Sequence, residues 1–80
     1  INDSGVEAIA VALQKANRTL EQLYLSGNEL ITDRSVPALI RMLDENRSLT
    51  RVELIDCRLS GNGRWQLGCL EKRDNFQLKA

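Results

Sequence analysis

The eighty residues predict an α/β fold of a repeating kind, with short parallel strands alternating with helices in a curved solenoid. Three observations carry this. The segment Asn17-Arg18-Thr19-Leu20 returns as Asn46-Arg47-Ser48-Leu49 and, worn, as Asn75-Phe76-Gln77-Leu78, each time after 29 residues. Behind the first two copies, polar and apolar residues alternate. Ahead of them runs an apolar stripe at helical spacing. Self-similarity at a fixed period of roughly 20–50 residues marks repeat architectures.

Each element follows from its own pattern. Val6, Ile9, Ala10 and Leu13 are spaced i, i+3, i+4, i+7, which puts them on one face of a helix. Asn2 or Asp3 can cap it by accepting N–H groups of its first turn. Residues 22–26, Gln-Leu-Tyr-Leu-Ser, have the period of two of a strand with one buried face. Val36, Leu39, Ile40 and Leu43 then repeat the helical stripe, with Thr32 or Asp33 as cap. Pro37 has no N–H to donate and fits only near a helix start, so this helix begins between Asp33 and Val36. Residues 51–55, Arg-Val-Glu-Leu-Ile, are the second strand. Gly61-Asn62-Gly63 reads as a loop. A weaker helix follows on Trp65, Leu67, Cys69 and Leu70, interrupted by Gly68. In this register Trp65 replaces Val36 in the core, and Leu78 sits where a third strand starts. The units are 1–30, 31–59 and a degenerate or truncated 60–80.

No unit of this size buries its apolar face alone; stacked neighbours do that for each other. Strands pack about 4.8 Å apart and helices about 10 Å apart. The stack therefore bends, with strands lining the concave side and helices the convex side. Leu25 and Leu54 become neighbours in one buried ladder.

Composition narrows the function. Thirteen of the 80 residues are leucine and aromatics are 4%, so leucine builds the core. Eleven basic residues balance eleven acidic ones, which argues against nucleic acid or a membrane surface as partner. Histidine is absent, which excludes a Ser-His-Asp triad, a Cys-His dyad and a histidine-bound metal. No apolar run approaches the ~18 residues of a membrane span. Two cysteines, Cys57 and Cys69, are too few for the disulfide framework of a small secreted domain. Three N-x-S/T sequons begin at Asn2, Asn17 and Asn46; two of them recur at the same point of the repeat, so a structural cause accounts for them. These features point to a cytoplasmic chain without cofactor or metal.

Leu20-x-x-Leu23-x-Leu25-x-x-Asn28-x-Leu30 recurs as Leu49-x-x-Val52-x-Leu54-x-x-Cys57-x-Leu59. This motif, with its helical second half, resembles the leucine-rich repeat. The 29-residue length and the Asn28/Cys57 alternation are similar to the ribonuclease-inhibitor-like subclass. The resemblance implies that Asn28 and Cys57 bond backbone groups of the adjoining turn. It also implies a glycine at each helix entry, matched by Gly5 but replaced by Ser35 and Arg64. The family includes enzyme inhibitors, innate-immune receptors, GTPase-activating proteins and actin-capping tropomodulin-like proteins.

The concave positions are the candidate site. Alternation turns Gln22, Tyr24 and Ser26 outward from the first strand and Arg51, Glu53 and Ile55 from the second. In parallel register they pair as Gln22–Arg51, Tyr24–Glu53 and Ser26–Ile55. Tyrosine and arginine are enriched in interface hot spots, and Ile55 has no structural reason to be apolar there. Glu53 can orient either Tyr24 or Arg51. A protein-interaction scaffold, part of a larger intracellular protein and able to self-associate through its repeat edges, is the reading these residues favour. A nucleotide-related regulator is the alternative, with Gly61–Gly63 cradling phosphate or Arg58 or Arg64 acting as an arginine finger. Asp44, Glu45 and Asp74 read as solvated helix ends, not as an acid/base pair. Cys57 reads as a buried, inert thiol, and Cys69 as core or partner-covered.

Overall fold

In the computed structural model, residues 1–15, 19–69 and 75–80 are described. Helix α1 (Asp3–Lys15) precedes strand β1 (Gln22–Tyr24). One turn of 3-10 helix, Asp33–Ser35, opens α2 (Val36–Glu45), followed by β2 (Arg51–Glu53), α3 (Gly61–Gly68) and β3 (Gln77–Lys79). The strands form one parallel sheet in the order β1-β2-β3. Val6, Ala10 and Leu13 of α1 and Val36, Leu39, Met42 and Leu43 of α2 meet Val52 and Leu78 of the sheet in a single core. Leu25 and Leu54 are both buried in it.

The assigned strands hold three residues, where alternation predicts five. The chain turns soon after them, at Gly27 (φ 81°) and Asp56 (φ 63°), which occupy the same point of the repeat. This left-handed conformation costs glycine nothing, and a short polar side chain such as aspartate tolerates it. The ladder still runs on past the strand ends. Leu25 N–H donates to the Glu53 carbonyl at 2.8 Å and Leu54 N–H to the Lys79 carbonyl at 2.6 Å.

The third unit departs from the sequence expectation. Val52 lies opposite Leu23 and Leu78, and Arg51 opposite Gln22 and Gln77. The unit spacing is thus 29 residues and then 26 (51 − 22 and 77 − 51). Leu78 is the middle of a formed strand, not its start. The likeness of Asn75-Phe76-Gln77-Leu78 to the earlier anchors is one of letters only. Asn46 is fully buried, donating to the Leu13 carbonyl at 2.8 Å and accepting from the N–H groups of Ser48 and Leu49 at 2.9 Å. Asn75 is exposed at φ 57°. Burial decides the register: Phe76 and Leu78, two apart on a strand, both reach the core.

The third helix also differs. Gly61, Asn62 and Gly63 are its first turn and not a loop, capped by the Ser60 hydroxyl, which accepts from Gly63 N–H at 3.1 Å. Each cap residue, Asn2, Thr32 or Ser60, has a small residue three positions on: Gly5, Ser35 or Gly63. The small residue of the third unit is therefore Gly63 and not Arg64. Counted from the caps, Trp65 matches Pro37 instead of Val36, and it lies 68% exposed, outside the core. Leu67 takes the place of Leu39 and is fully buried. Cys69 is exposed; Leu70 and Asp74 lie outside the described residues.

Caps and carboxylates divide the work at the helix starts. Asn2 accepts from Gly5 N–H at 3.0 Å and Thr32 from Arg34 N–H at 3.2 Å. The neighbouring aspartates reach across to the next unit instead. Asp3 accepts the Thr32 N–H at 2.8 Å, the Thr32 hydroxyl at 2.6 Å and the Ser35 hydroxyl. Asp33 accepts the Ser60 N–H at 2.8 Å and the Ser60 hydroxyl. Burial alone would raise the Asp3 pKa, but the hydrogen bonds from Ser35 and Thr32 outweigh it and hold it below the usual carboxylate value. The Ser60 hydroxyl and N–H lower that of Asp33.

The accessible surface is 4832 Å². A compact monomer of 9.0 kDa exposes about 4,850 Å², so the open sheet edges add no unusual area.

Two outcomes are expected. Leu25→Ala or Leu54→Ala removes a buried side chain from the shared ladder and should cost about 2–5 kcal/mol in denaturant unfolding; full tolerance of both would contradict the register. Acid should also loosen the stack. A carboxylate with a depressed folded-state pKa contributes stability that is present above its unfolded value, about 3.9, and lost as pH falls through the folded one. Stability should therefore fall below about pH 4, and less steeply in the Asp3→Asn, Asp33→Asn double variant, as read by denaturant midpoints from pH 6 to pH 2.

Candidate protein-binding face

Strand alternation builds two rows on the sheet face turned away from the helices. The first row is Gln22–Arg51–Gln77 and the second Tyr24–Glu53–Lys79. Between them run Leu23, Val52 and Leu78, which point the other way, into or against the core. Beyond the strand ends, Ile55 N–H donates to the Ser26 hydroxyl at 2.9 Å, and Gly27 N–H to the Ile55 carbonyl at 2.7 Å. Tyr24 is 55% exposed and Ile55 43%. The cross-strand pairs read from the sequence are all present. Gln77 and Lys79 were missed because the 29-residue anchor misplaced the third strand; the alternation Gln-Leu-Lys was the signal that located it.

The rows are wired along and across the strands. Arg51 Nε donates to Glu53 Oε2 at 2.7 Å, a charge-assisted pair two residues apart on one strand. Arg51 Nη1 donates to Gln77 Oε1 at 2.8 Å. The Tyr24 hydroxyl donates to Gln22 Oε1. Glu53 thus holds Arg51, and Tyr24 is held by Gln22. The Glu53 hydrogen bond pushes the Arg51 pKa higher still, so the guanidinium stays charged. At the start of the strands these side chains border an open cup of about 610 Å³, lined by Gln22, Thr50, Arg51, Asn75, Phe76 and Gln77.

Asn28 and Cys57 converge on one acceptor. Asn28 Nδ2 donates to the Leu25 carbonyl at 2.7 Å, and Cys57 Sγ lies 3.2 Å from the same oxygen, one unit along. Burial pushes the Cys57 thiol pKa up, which makes it a poor nucleophile. Both cysteines are free thiols.

The remaining candidates separate by position. The Asp33 carboxylate already occupies the start of α3, where a phosphate cradled by Gly61–Gly63 would sit. A Cβ on Gly63 would lie 2.5 Å from Asp33 Oδ1. Asp44 and Glu45 are exposed at the end of α2. Asn46 is the buried clamp described above, which accounts structurally for that sequon; Asn17 lies outside the described residues. Among the described residues no group of three potential metal ligands comes together, and no helix is long and apolar enough to cross a membrane.

Residues 16–39 match the family model described as Leucine Rich repeat. A leucine-rich repeat spans these residues. It covers the Leu20-x-x-Leu23-x-Leu25-x-x-Asn28-x-Leu30 motif and runs into α2. Leucine-rich repeats are generally protein-interaction modules and usually non-catalytic, and no enzyme family is evident in the chain. No curated protein matches it.

The helix starts give a paired outcome. Gly63→Ala should destabilise the stack by pressing on the pinned Asp33 carboxylate. Gly61→Ala meets nothing within 4 Å and should be neutral or stabilising by up to about 1 kcal/mol. Equal melting of the two variants would contradict the packing described.

Proposed function

We propose that the chain is a non-enzymatic protein-interaction module that binds another protein through the helix-free face of its sheet. The binding residues are Gln22, Tyr24, Ser26, Arg51, Glu53 and Ile55, joined by Gln77 and Lys79. The observation that carries this reading is the state of those side chains. Gln22, Tyr24, Arg51, Glu53, Gln77 and Lys79 project from the three strands, with Ser26 and Ile55 in the turns that follow, and Tyr24 with Gln22 and Arg51 with Glu53 and Gln77 are tied to one another before any partner arrives. Side chains ordered in advance lose little entropy on binding. Tyr24 offers a large apolar body with a hydroxyl, and Arg51 a planar donor fork. Ile55 adds apolar area beside the small Ser26. With both signs of charge on the face, a protein surface is a better match than a polyanion. We assign the repeats to the ribonuclease-inhibitor-like subclass on the 29-residue spacing of the first two units and the Asn28/Cys57 alternation. Two free thiols support a reducing, cytoplasmic setting.

The test has two stages. A photo-crosslinking residue at position 55 should capture a partner that the same residue at exposed Val11, on α1, does not. The affinity of that partner is then measured against single variants. Tyr24→Ala or Arg51→Ala should weaken binding by over 1 kcal/mol. Tyr24→Ala and Ile55→Ala should change stability by about 0.5 kcal/mol or less, since both side chains leave the core. Binding lost through changes on the helices, with all sheet-face variants silent, would sink this reading.

A further inference from the structure

We infer that the cup around Arg51 binds the side-chain carboxylate of an acidic residue in the partner; the inference rests on the sheet-face reading above and names the chemistry it recognises. The amide oxygen of Gln22 is taken by the Tyr24 hydroxyl, and that of Gln77 by Arg51 Nη1. Each amide oxygen is thus engaged by one hydrogen bond, and each glutamine keeps a free –NH2 group that can only donate. Arg51 spends its Nε–H on Glu53 and one Nη1–H on Gln77, so three of its five N–H donors remain. The Thr50 hydroxyl is turned to the Glu21 carbonyl, to which it donates at 3.1 Å. No carboxylate lines the cup: Glu53 reaches Arg51 along β2 from the side of the second row.

The first row therefore faces a ligand chiefly with donors: an amide, a guanidinium and an amide on three neighbouring strands. Such a row favours an acceptor, and the fixed positive charge at its centre favours an anionic one. The charge is single and already shares a carboxylate with Glu53. A planar monoanion suits it better than a phosphate dianion, which would crowd a second full charge against Glu53. Flanking Gln22 and Gln77 are about 4.8 Å to either side along the sheet, where they can donate to backbone carbonyls next to the acidic residue.

The test follows side-chain NMR signals of Gln22, Gln77 and Arg51 in the full chain. Three blocked tripeptides are titrated into the millimolar range: acetyl-Ala-Glu-Ala-amide, its glutamine counterpart and its phosphoserine counterpart. The glutamate peptide should give saturable shifts at all three side chains and bind roughly fivefold or more tightly than the glutamine peptide. Arg51→Lys, which keeps the charge and loses the fork, should weaken the glutamate peptide by a similar factor. Tyr24→Phe frees the Gln22 oxygen to turn outward and should narrow the preference for glutamate. Equal binding of the glutamate and glutamine peptides, no saturable shift, or indifference to Arg51→Lys overturns the proposal. Tighter binding of the phosphoserine peptide overturns the carboxylate as source. Unchanged melting of each variant shows that folding is not the cause. The partner of the preceding section separates the two readings. If Tyr24→Ala and Ile55→Ala weaken it while Arg51→Lys and Tyr24→Phe do not, the face stands and the carboxylate falls; if none of the four does, both fall.

Discussion

Each unit of this fold is fastened to the next by a carboxylate, and much of the rest is arranged around that clasp. Asp3 and Asp33 stand at the first turn of their own helices yet accept hydrogen bonds from Thr32 and Ser60, the caps of the helices that follow. A negative charge so placed lies near the positive end of the next helix, which favours it further. The clasp dictates what the adjoining positions can be. The residue three past the cap must be small or must itself join the clasp: Ser35 donates to Asp3, and Gly63 leaves room for Asp33. The same carboxylate sets a negative charge beside the start of α3, which disfavours phosphate there. A glycine-rich segment that suggests an anion site is thus explained by an internal anion.

The opposite ends of the units are closed by buried amide and thiol groups. Asn46 satisfies the last-turn carbonyl of Leu13 with its Nδ2 and holds the following N–H groups with its oxygen. Asn28 and Cys57 share the Leu25 carbonyl. Every turn of a solenoid leaves backbone groups facing inward, and burying one unpaired costs about 1–3 kcal/mol. These few side chains bring the chain from helix to strand and back without that loss.

Much of this was legible in the sequence because two physical periods are hard to counterfeit. Alternation at Gln22–Tyr24 and Arg51–Glu53 fixed the strands and their register, and the stripe through Val36, Leu39 and Leu43 fixed α2. The third unit was misread because letters were aligned where burial rules. Asn75 looks like Asn46 but cannot do its work once Phe76 and Leu78 are drawn into the core, three residues early. Trp65 was misplaced by counting from the anchor instead of the cap; a cap position is a hydrogen-bonding fact that becomes visible only with the backbone in place. The clasp was hidden for a related reason. An aspartate beside a helix start reads as a cap of that helix, and nothing local reveals that its partners lie about 29 residues away.

The division between clasp and face bears on function. The side-chain hydrogen bonds that hold the units together lie at the helix starts, the helix ends and the turns around the strands. The two rows of the sheet face lie on the far side of Leu23, Val52 and Leu78 from the core. Their side chains bond chiefly to one another: Tyr24 to Gln22, and Arg51 to Glu53 and Gln77. Substitution there changes what the surface offers while the stack beneath remains. A glutamine whose oxygen is already engaged offers chiefly its –NH2 donor by circumstance, not by residue type. One neighbouring hydroxyl, that of Tyr24, is enough to make it so. The chemistry the face presents is thus set by pairings within its rows, which the strand register brings about and no single residue determines.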